Sequence, residues 1–196
     1  MKLGVNGSFF LVEQMKVISG ELPGLLIIEP DIYGDARGHF LETYNLDRYM
    51  QVGITTEFVQ DNVSFSRRGV LRGLHFQNPT PQGKLVCVLM GEVYDVVVDV
   101  RRSSPTFGRW QGVRLNGESK RQCYVPPGFA HGFQVLSEEA LFHYKCTAPY
   151  APGCEHAVRW DDPDLGISWP LPEPVLSPKD AKAPRLRDLP PDCLFD

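Results

Sequence analysis

The stretch GVLRGLHFQ, residues 69–77, places two ionisable side chains inside a segment that has the apolar pattern of a buried β-strand. Arg72 and His75 are costly to bury unless each has a polar partner. An imidazole is also the side chain that best suits a general base near neutral pH. The odd spacing of the two residues puts them on opposite faces of a regular strand. We therefore expect both to reach one cavity only if Gly73 makes a bulge.

Two later segments provide partners for such a base. Lys84 opens the strand that follows, in QGK (82–84), and can supply a positive charge beside the cavity. In LFHYKC (141–146), alternation puts Tyr144 on the apolar, inward face, where a protonated phenol can act as a general acid. A core tyrosine whose hydroxyl binds backbone is the alternative interpretation of Tyr144.

Asp180 lies in LSPKDAKAP (176–184), within a segment rich in proline. A carboxylate in such a segment is ordinarily solvated or caps a helix. If the segment folds back over the mouth of a barrel, Asp180 can bind one imidazole nitrogen and raise the basicity of the other.

His131 follows a Pro-Pro-Gly turn in VPPGFAHGFQVL (125–136), and this pattern resembles the second motif of metal-binding cupins. The first motif of those proteins supplies His-x-His, whereas GLHFQ has one histidine. The remaining histidines, His39, His143 and His156, are scattered without a three-ligand pattern. We expect no metal site.

Composition narrows the class of protein. The net charge of −4 argues against a general nucleic-acid surface, which needs a basic stripe. The sequence has no apolar run of membrane-spanning length and no signal-like N-terminus, so we expect neither a nucleic-acid nor a membrane partner. Five cysteines without a CxxC pair are typical of core thiols. A cytoplasmic protein is expected.

Eighteen glycines and seventeen prolines separate short apolar runs, which favours one all-β domain built as a sandwich, jelly roll or barrel. An N-terminal arm (1–22), a jelly-roll core (24–160) and a proline-rich wrap (161–196) are predicted, with a helix at 46–53 and a helical turn near 178–183. KLVCVLMGEVYDVVVDV (84–100) has the pattern of an antiparallel hairpin hinged at Gly91. The predicted strands cover 39–44, 55–63, 69–76, 83–90, 92–100, 110–115, 121–125, 131–136, 140–147 and 156–160.

Eight blocks of the sequence, in order, resemble the dTDP-4-dehydrorhamnose 3,5-epimerase family across about residues 24–184. The blocks are GDARGHFLETYN, FVQDNVSFSRRGVLRGLHFQ, PQGKLVCVLMGEVYDVVVDVR, SPTFGRW, VPPGFAHGFQVLSE, YKCTAPYAP, WDDPDLGISWP and LSPKDAKAP. The resemblance implies a cupin-like double-stranded β-helix, or jelly roll, that uses no metal or other cofactor and forms a homodimer. It implies inversion of C3 and C5 of dTDP-4-dehydro-6-deoxy-glucose for dTDP-L-rhamnose synthesis.

By position in the family's motifs, His75 is the expected base, Tyr144 the acid and Asp180 the carboxylate that pairs with the base. Lys84 is expected to stabilise the enolate. The expected contacts with the nucleotide-sugar are Arg37, Phe40, Glu42, Gln60, Asp61, Asn62, Arg72, Lys84, His131, Tyr150, Glu155 and Lys179.

Three alternatives remain open at this level. One is an epimerase that acts at C3 alone or C5 alone in another deoxysugar pathway. The second is a metal-dependent cupin such as a dioxygenase, which the missing His-x-His disfavours. The third is a sugar-binding or structural cupin without activity, which the combination of base, acid and enolate cation disfavours.

Overall fold

Two antiparallel β-sheets, of seven and five strands, form the body of the protein in a computed structural model that describes residues 9–13 and 15–196. The strands are β1 (Phe9–Val12), β2 (Met15–Ser19), β3 (Leu26–Pro30), β4 (Tyr33–Asp35), β5 (Gly38–Phe40), β6 (Gln60–Arg67), β7 (Leu71–Gln77), β8 (Lys84–Met90), β9 (Glu92–Asp99), β10 (Trp110–Asn116), β11 (Gln122–Val125), β12 (Phe129–Val135), β13 (Glu139–Cys146) and β14 (Glu155–Ala157). One α-helix, α1 (Leu46–Gln51), and short 3-10 turns at Pro152–Cys154, Asp180–Lys182, Leu186–Asp188 and Pro191–Cys193 complete the described structure.

The chain alternates between the two sheets. The seven-stranded sheet has the order β1-β2-β3-β11-β8-β13-β6, and the five-stranded sheet has the order β10-β9-β12-β7-β14. Successive strands from β6 to β9, and again from β11 to β14, thus fall in opposite sheets. This topology confirms the predicted all-β jelly roll.

The hydrophobic core lies between the sheets. Inward side chains of β8, β9, β12 and β13 meet there, and the fully buried ones include Val86, Val97, Phe129 and Phe142. Burying one such side chain contributes about 1.5–3 kcal/mol to folding. Alternation along each strand determines which residues take part.

The predicted hairpin at 84–100 is wrong. β8 pairs with β11 and β13, whereas β9 pairs with β10 and β12. Gly91, with φ +83°, carries the chain from one sheet to the other, and a Cβ there would lie 2.0 Å from the carbonyl oxygen of Glu139. The continuous apolar run of β9 reflects burial on both faces: Val97 faces the core, and Val96 faces a second cluster beneath the C-terminal segment.

The N-terminal half departs from the predicted strands in two places. The strand expected at 39–44 ends at Phe40, because it is the second strand of a small hairpin formed by residues 33–40. In the turn of this hairpin, Asp35 accepts a hydrogen bond from the backbone N–H of Arg37 at 2.8 Å. β6 begins at Gln60 rather than at residue 55. Within the predicted arm, β1 and β2 pair at the edge of the seven-stranded sheet, while residues 1–8 and 14 lie outside the described residues.

Helix α1 is confirmed and covers part of the outer face of the seven-stranded sheet. The Asn45 side chain caps it by accepting a hydrogen bond from the Arg48 N–H at 3.3 Å. Tyr49 then packs with Leu85 and Tyr124. Beyond the helix, the outer faces of β6, β8 and β13 carry exposed apolar side chains, which we name the open face: Val63, Phe65 and Leu89, with His143 between them.

The C-terminal segment lies across the outer face of the five-stranded sheet. The side chain of Gln134 is fully buried on β12. It donates a hydrogen bond to the backbone carbonyl of Leu171 at 2.8 Å and accepts one from the backbone N–H of Leu171 at 3.0 Å. Val175 then forms a bridge with Val70, and the chain enters the turn that begins at Asp180. In the described part of the chain, no helix has the length and apolarity to cross a membrane.

Candidate active site

A bulge at Gly73 brings Arg72 and His75 to the same cavity. β7 gains one residue relative to β12 between these two positions, and His75 lies directly opposite His131. Gly73 has φ +111°, and a Cβ on it would lie 2.6 Å from Gly132 Cα, closer than real side chains allow. The bulge that the odd spacing required is therefore present, and it depends on glycine.

The cavity has two connected compartments that share His75, Lys84 and Tyr144. The first measures about 480 Å³, and its polar lining also includes Arg72, His131, Lys179 and Asp180. The second measures about 330 Å³, and its polar lining also includes Gln60, Asn62, Gln77, Gln82, Tyr150 and Glu155. Both volumes fall within or near the range of small-molecule sites.

His75 and Asp180 form a tight pair. His75 Nε2 lies 2.6 Å from Asp180 Oδ1, and Asp180 is 3% exposed. Burial alone would raise the pKa of Asp180, but hydrogen bonds from His75 and neighbouring groups outweigh burial and lower it. An ionised carboxylate can only accept, so the proton belongs on Nε2 and Nδ1 is left as the basic atom. Nδ1 lies 4.0 Å from Glu155 Oε1.

Glu155, which lines the second compartment, binds two neighbouring polar side chains. It accepts a hydrogen bond from the Tyr150 hydroxyl at 2.8 Å and forms an ion pair with Lys179. Burial alone would raise the pKa of Glu155, and the bonds from Lys179 and Tyr150 reverse the direction and lower it. The ion pair thereby joins Lys179, which lines the first compartment, to Glu155, which lines the second.

Lys84 and Tyr144 border the cavity from neighbouring strands, β8 and β13. Burial lowers the pKa of the Lys84 ammonium, and the charge of Glu155 acts in the opposite direction. Burial raises the pKa of the Tyr144 phenol, which therefore stays protonated near neutral pH. The cavity thus contains a base, a proton donor and a cation, the set needed to move protons at a carbon acid.

Comparison with known proteins decides the family. A family model described as dTDP-4-dehydrorhamnose 3,5-epimerase matches residues 19–188. The chain belongs to this family.

Solved and curated epimerases cover nearly the whole chain. The crystal structure of an epimerase from Legionella pneumophila with bound dTDP-4-keto-L-rhamnose has a TM-score of 0.90 at 55% identity, covering 92% of this chain and 97% of its own. The dTDP-4-dehydrorhamnose 3,5-epimerase of Methanothermobacter thermautotrophicus is 49% identical, over 90% of this chain and 97% of its own. A dTDP-4-dehydrorhamnose 3-epimerase of Streptomyces niveus is 43% identical, over 83% of this chain and 79% of its own.

Three residues expected in the epimerase site lie outside the cavity of their own chain. Arg37 and Phe40 are on the β4–β5 hairpin, where the Arg37 side chain is 90% exposed and Phe40 is 70% exposed. Glu42 forms an ion pair with Arg48 at 2.7 Å. A single chain therefore does not bring these three residues to the two compartments.

Asp61, a fourth expected contact, also lies outside both compartments of its own chain. Its neighbours Gln60 and Asn62 line the second compartment, but alternation along β6 turns Asp61 to the outer face. There it binds Lys145 Nζ at 2.8 Å. Asp61 is therefore not a cavity residue.

The sequence patterns did not single out Asp95, which contacts His131 of the cavity wall. Its Oδ2 lies 2.8 Å from His131 Nε2, and Asp95 is 0% exposed. The available signal was an acid on the inward register of β9, two positions before Val97. In the described part of the chain, no three His, Cys, Asp or Glu side chains are grouped as metal ligands.

Proposed function

We propose that this chain is a dTDP-4-dehydrorhamnose 3,5-epimerase that converts dTDP-4-dehydro-6-deoxy-α-D-glucose to dTDP-4-dehydro-β-L-rhamnose in dTDP-L-rhamnose synthesis. The observation that carries the proposal is the His75–Asp180 pair, which borders one cavity together with Tyr144 and Lys84. Membership of the epimerase family supports the substrate class.

The first step is proton abstraction by His75. The C4 ketone acidifies the hydrogens on C3 and C5, and Nδ1 takes one of them as a proton. The C–H electrons form a C=C bond while the carbonyl electrons move to the C4 oxygen as an enolate. Asp180 keeps the Nε2 proton in place and stabilises the imidazolium that forms, and Lys84 stabilises the enolate oxygen.

The second step is protonation on the opposite face of the ring. Tyr144 gives its phenolic proton to the carbon, the enolate electrons return, and the centre is inverted. The phenolate is then reprotonated from solvent, and His75 releases its proton. The two steps repeat at the other carbon.

The nucleotide portion requires cations and polar contacts. Arg72 and Lys179 reach the first compartment and suit a diphosphate, Arg72 through its planar guanidinium. The amides of Gln60 and Asn62, with the ring of Tyr150, line the second compartment, where a base and ribose can bind.

The active unit in this proposal is a homodimer. The open face presents Val63, Phe65 and Leu89 to solvent, an apolar surface that a second copy can cover. In such a dimer, the β4–β5 hairpin of one chain can enter the cavity of its partner. Arg37 and Phe40 can then make their expected contacts with the nucleotide-sugar there.

Epimerisation at C3 alone is the second candidate. The match to the Streptomyces niveus 3-epimerase supports it, since the same fold serves that named activity. The base and the acid are suited to either outcome, so the distinction requires product analysis.

The deciding experiment is incubation of the purified protein with dTDP-4-dehydro-6-deoxy-glucose in deuterated water. We expect deuterium at both C3 and C5 and a product with both centres inverted. Label and inversion at C3 alone would establish the second candidate, and no label at either carbon would refute both.

We further propose that turnover needs no metal or other cofactor and takes place in the cytoplasm. All five cysteines are free thiols, which suits a reducing compartment. Activity is expected to survive EDTA. Loss on chelation that one added metal restores would contradict this.

A further inference from the structure

Three glutamine side chains hold the segment 148–151, which follows β13, against the lining of the second compartment. Each of its four residues has one backbone polar group bonded to a glutamine. The bonds run from Gln82 to the Ala148 carbonyl at 2.7 Å, from Gln77 to the Pro149 carbonyl at 3.3 Å, from the Tyr150 N–H to Gln60 at 2.8 Å and from the Ala151 N–H to Gln77 at 2.9 Å. The segment lies in neither a helix nor a strand, so these bonds replace the partner strand that would otherwise fix its backbone.

Gln77, at the end of β7, makes two of these four bonds. Its side chain is buried, and its amide group also donates to the Thr80 carbonyl at 3.0 Å. A glutamine amide has two N–H donors, and both are used in these bonds. Gln77 lines the second compartment but has no donor left for a ligand. Its effect on a ligand therefore passes through the segment that it holds.

Tyr150 is the side chain that this segment presents to the compartment. Its neighbours on both sides, Pro149 and Ala151, are the two residues of the segment that Gln77 binds. The ring lines the second compartment, and the hydroxyl donates to Glu155 at 2.8 Å. Tyr150 is 53% exposed, so its position depends on the backbone that carries it and on this one hydrogen bond.

We propose that Gln77 is a positioning residue for nucleotide binding, holding Pro149 and Ala151 so that Tyr150 already faces the nucleoside of the dTDP-sugar. This rests on the proposed function. An aromatic side chain that is ordered in advance loses less conformational entropy on binding, which leaves more of the contact energy for affinity. Gln77 therefore acts on the binding of the nucleotide and not on the proton transfer at the sugar.

The test compares Gln77→Met with Gln134→Met, using calorimetric titration with dTDP and steady-state kinetics. Both residues are buried glutamines that bind the backbone of a distant segment, but Gln134 holds Leu171 and lines neither compartment. We expect Gln77→Met to raise the Kd for dTDP and the KM by about tenfold, with kcat within about twofold. Gln134→Met should lower the melting temperature and change both Kd and KM by less than about twofold. Equal effects of the two variants on Kd, or a loss of kcat without a change in KM, would overturn the proposal.

A double-mutant cycle tests whether Gln77 acts through Tyr150. Tyr150→Ala removes a half-exposed side chain, so this variant should fold. In that background, Gln77→Met should weaken dTDP binding by less than about twofold, because the side chain that it positions is gone. A further tenfold loss would mean that Gln77 affects the nucleotide by another route, and would overturn the assignment.

Hydrogen exchange in the wild-type protein provides a readout that does not depend on whether the variants fold. We expect the amides of Tyr150 and Ala151 to exchange slowly before dTDP is added, and dTDP to change their protection little. Protection that arises only with dTDP would overturn the proposal, because the ligand would then order the segment. A wild-type protein that binds dTDP and leaves the sugar unchanged would refute the proposed function instead, while the Kd comparison would still decide the role of Gln77.

Discussion

The two faces of strands β6 and β13 have different surroundings: one face lines the cavity, and the other presents apolar side chains to solvent. Inward, Asn62 and Tyr144 line a cavity whose base, acid and cations all come from one chain. Outward, Val63 and Phe65 are exposed on the open face, beside Asp61. One alternating sequence therefore places the proton-transfer groups on one side and an exposed apolar surface on the other.

This difference predicts separable failures. Changes on the cavity side should remove proton transfer and leave the association of chains intact. Changes on the open face should first alter association, and should affect turnover only through residues that the partner contributes.

His75→Asn is expected to have the largest effect. Without the base no enolate forms, so both turnover and solvent exchange at C3 and C5 should fall by about a hundredfold to ten-thousandfold. NMR of the sugar in deuterated water measures both quantities, and light scattering should give an unchanged mass. Retained exchange would assign the base to another residue.

Tyr144→Phe should give a smaller and different defect. His75 can still form the enolate, so deuterium should enter while inversion falls by about a hundredfold or more. The measurement is label incorporation without epimerised product. If exchange is the same in this variant and in His75→Asn, the acid and base assignments do not hold.

Phe65→Asp tests the open face. A charge in an apolar interface should weaken the dimer by roughly a hundredfold in dissociation constant, about 2.7 kcal/mol. Activity should fall with dilution as Arg37 of the partner chain is lost, which activity and scattering mass measured together would show. Asp61→Asn on the same side is the control, since its exposed ion pair with Lys145 is worth about 1 kcal/mol or less. A fully active monomer would refute the shared site.

Asp99→Asn should have the smallest effect on catalysis and a clear effect on stability. Burial alone would raise the pKa of Asp99, but bonds from Arg101, Ser104 and Thr106 lower it from 3.8 to about 2. A lowered folded-state pKa gives stability that is present above pH 3.8 and lost as the pH falls through about 2.

That shift corresponds to about 2 kcal/mol, so thermal unfolding of Asp99→Asn at neutral pH should begin about 4–8 °C lower. Its stability should also lose the acid dependence between these two pH values. Loss of activity in the folded variant would remove the distinction between destabilisation and damage to the cavity.

Local sequence patterns predicted where the strands lie better than they predicted which strands pair with each other. The inward register of Tyr144 and the need for a bulge at Gly73 follow from period-two geometry, and both are present. The hairpin at 84–100 was wrong because two apolar runs around a glycine look alike whether the turn stays in one sheet or crosses to the other. Tertiary pairing decides between them.

The less a site residue depends on contacts between distant segments, the better the sequence predicted it. The chemistry of His75 and Tyr144 follows from residue type and family motif. The family motif does not show that Asp61 faces outward, because motif position carries no information on which face of β6 a residue occupies. The contact of Asp95 with His131 was not predicted, because it depends on the register of β9 against β12.

The segment that carries Asp180 also sets an order of events during synthesis. Strands β6 to β14 are complete by residue 157, so the barrel can begin to fold while the partner of His75 is still to be translated. A nascent barrel at that stage has an imidazole without its carboxylate. The base, His75, is therefore made early and its carboxylate partner late, so the His75–Asp180 pair can form only after all fourteen strands have been translated.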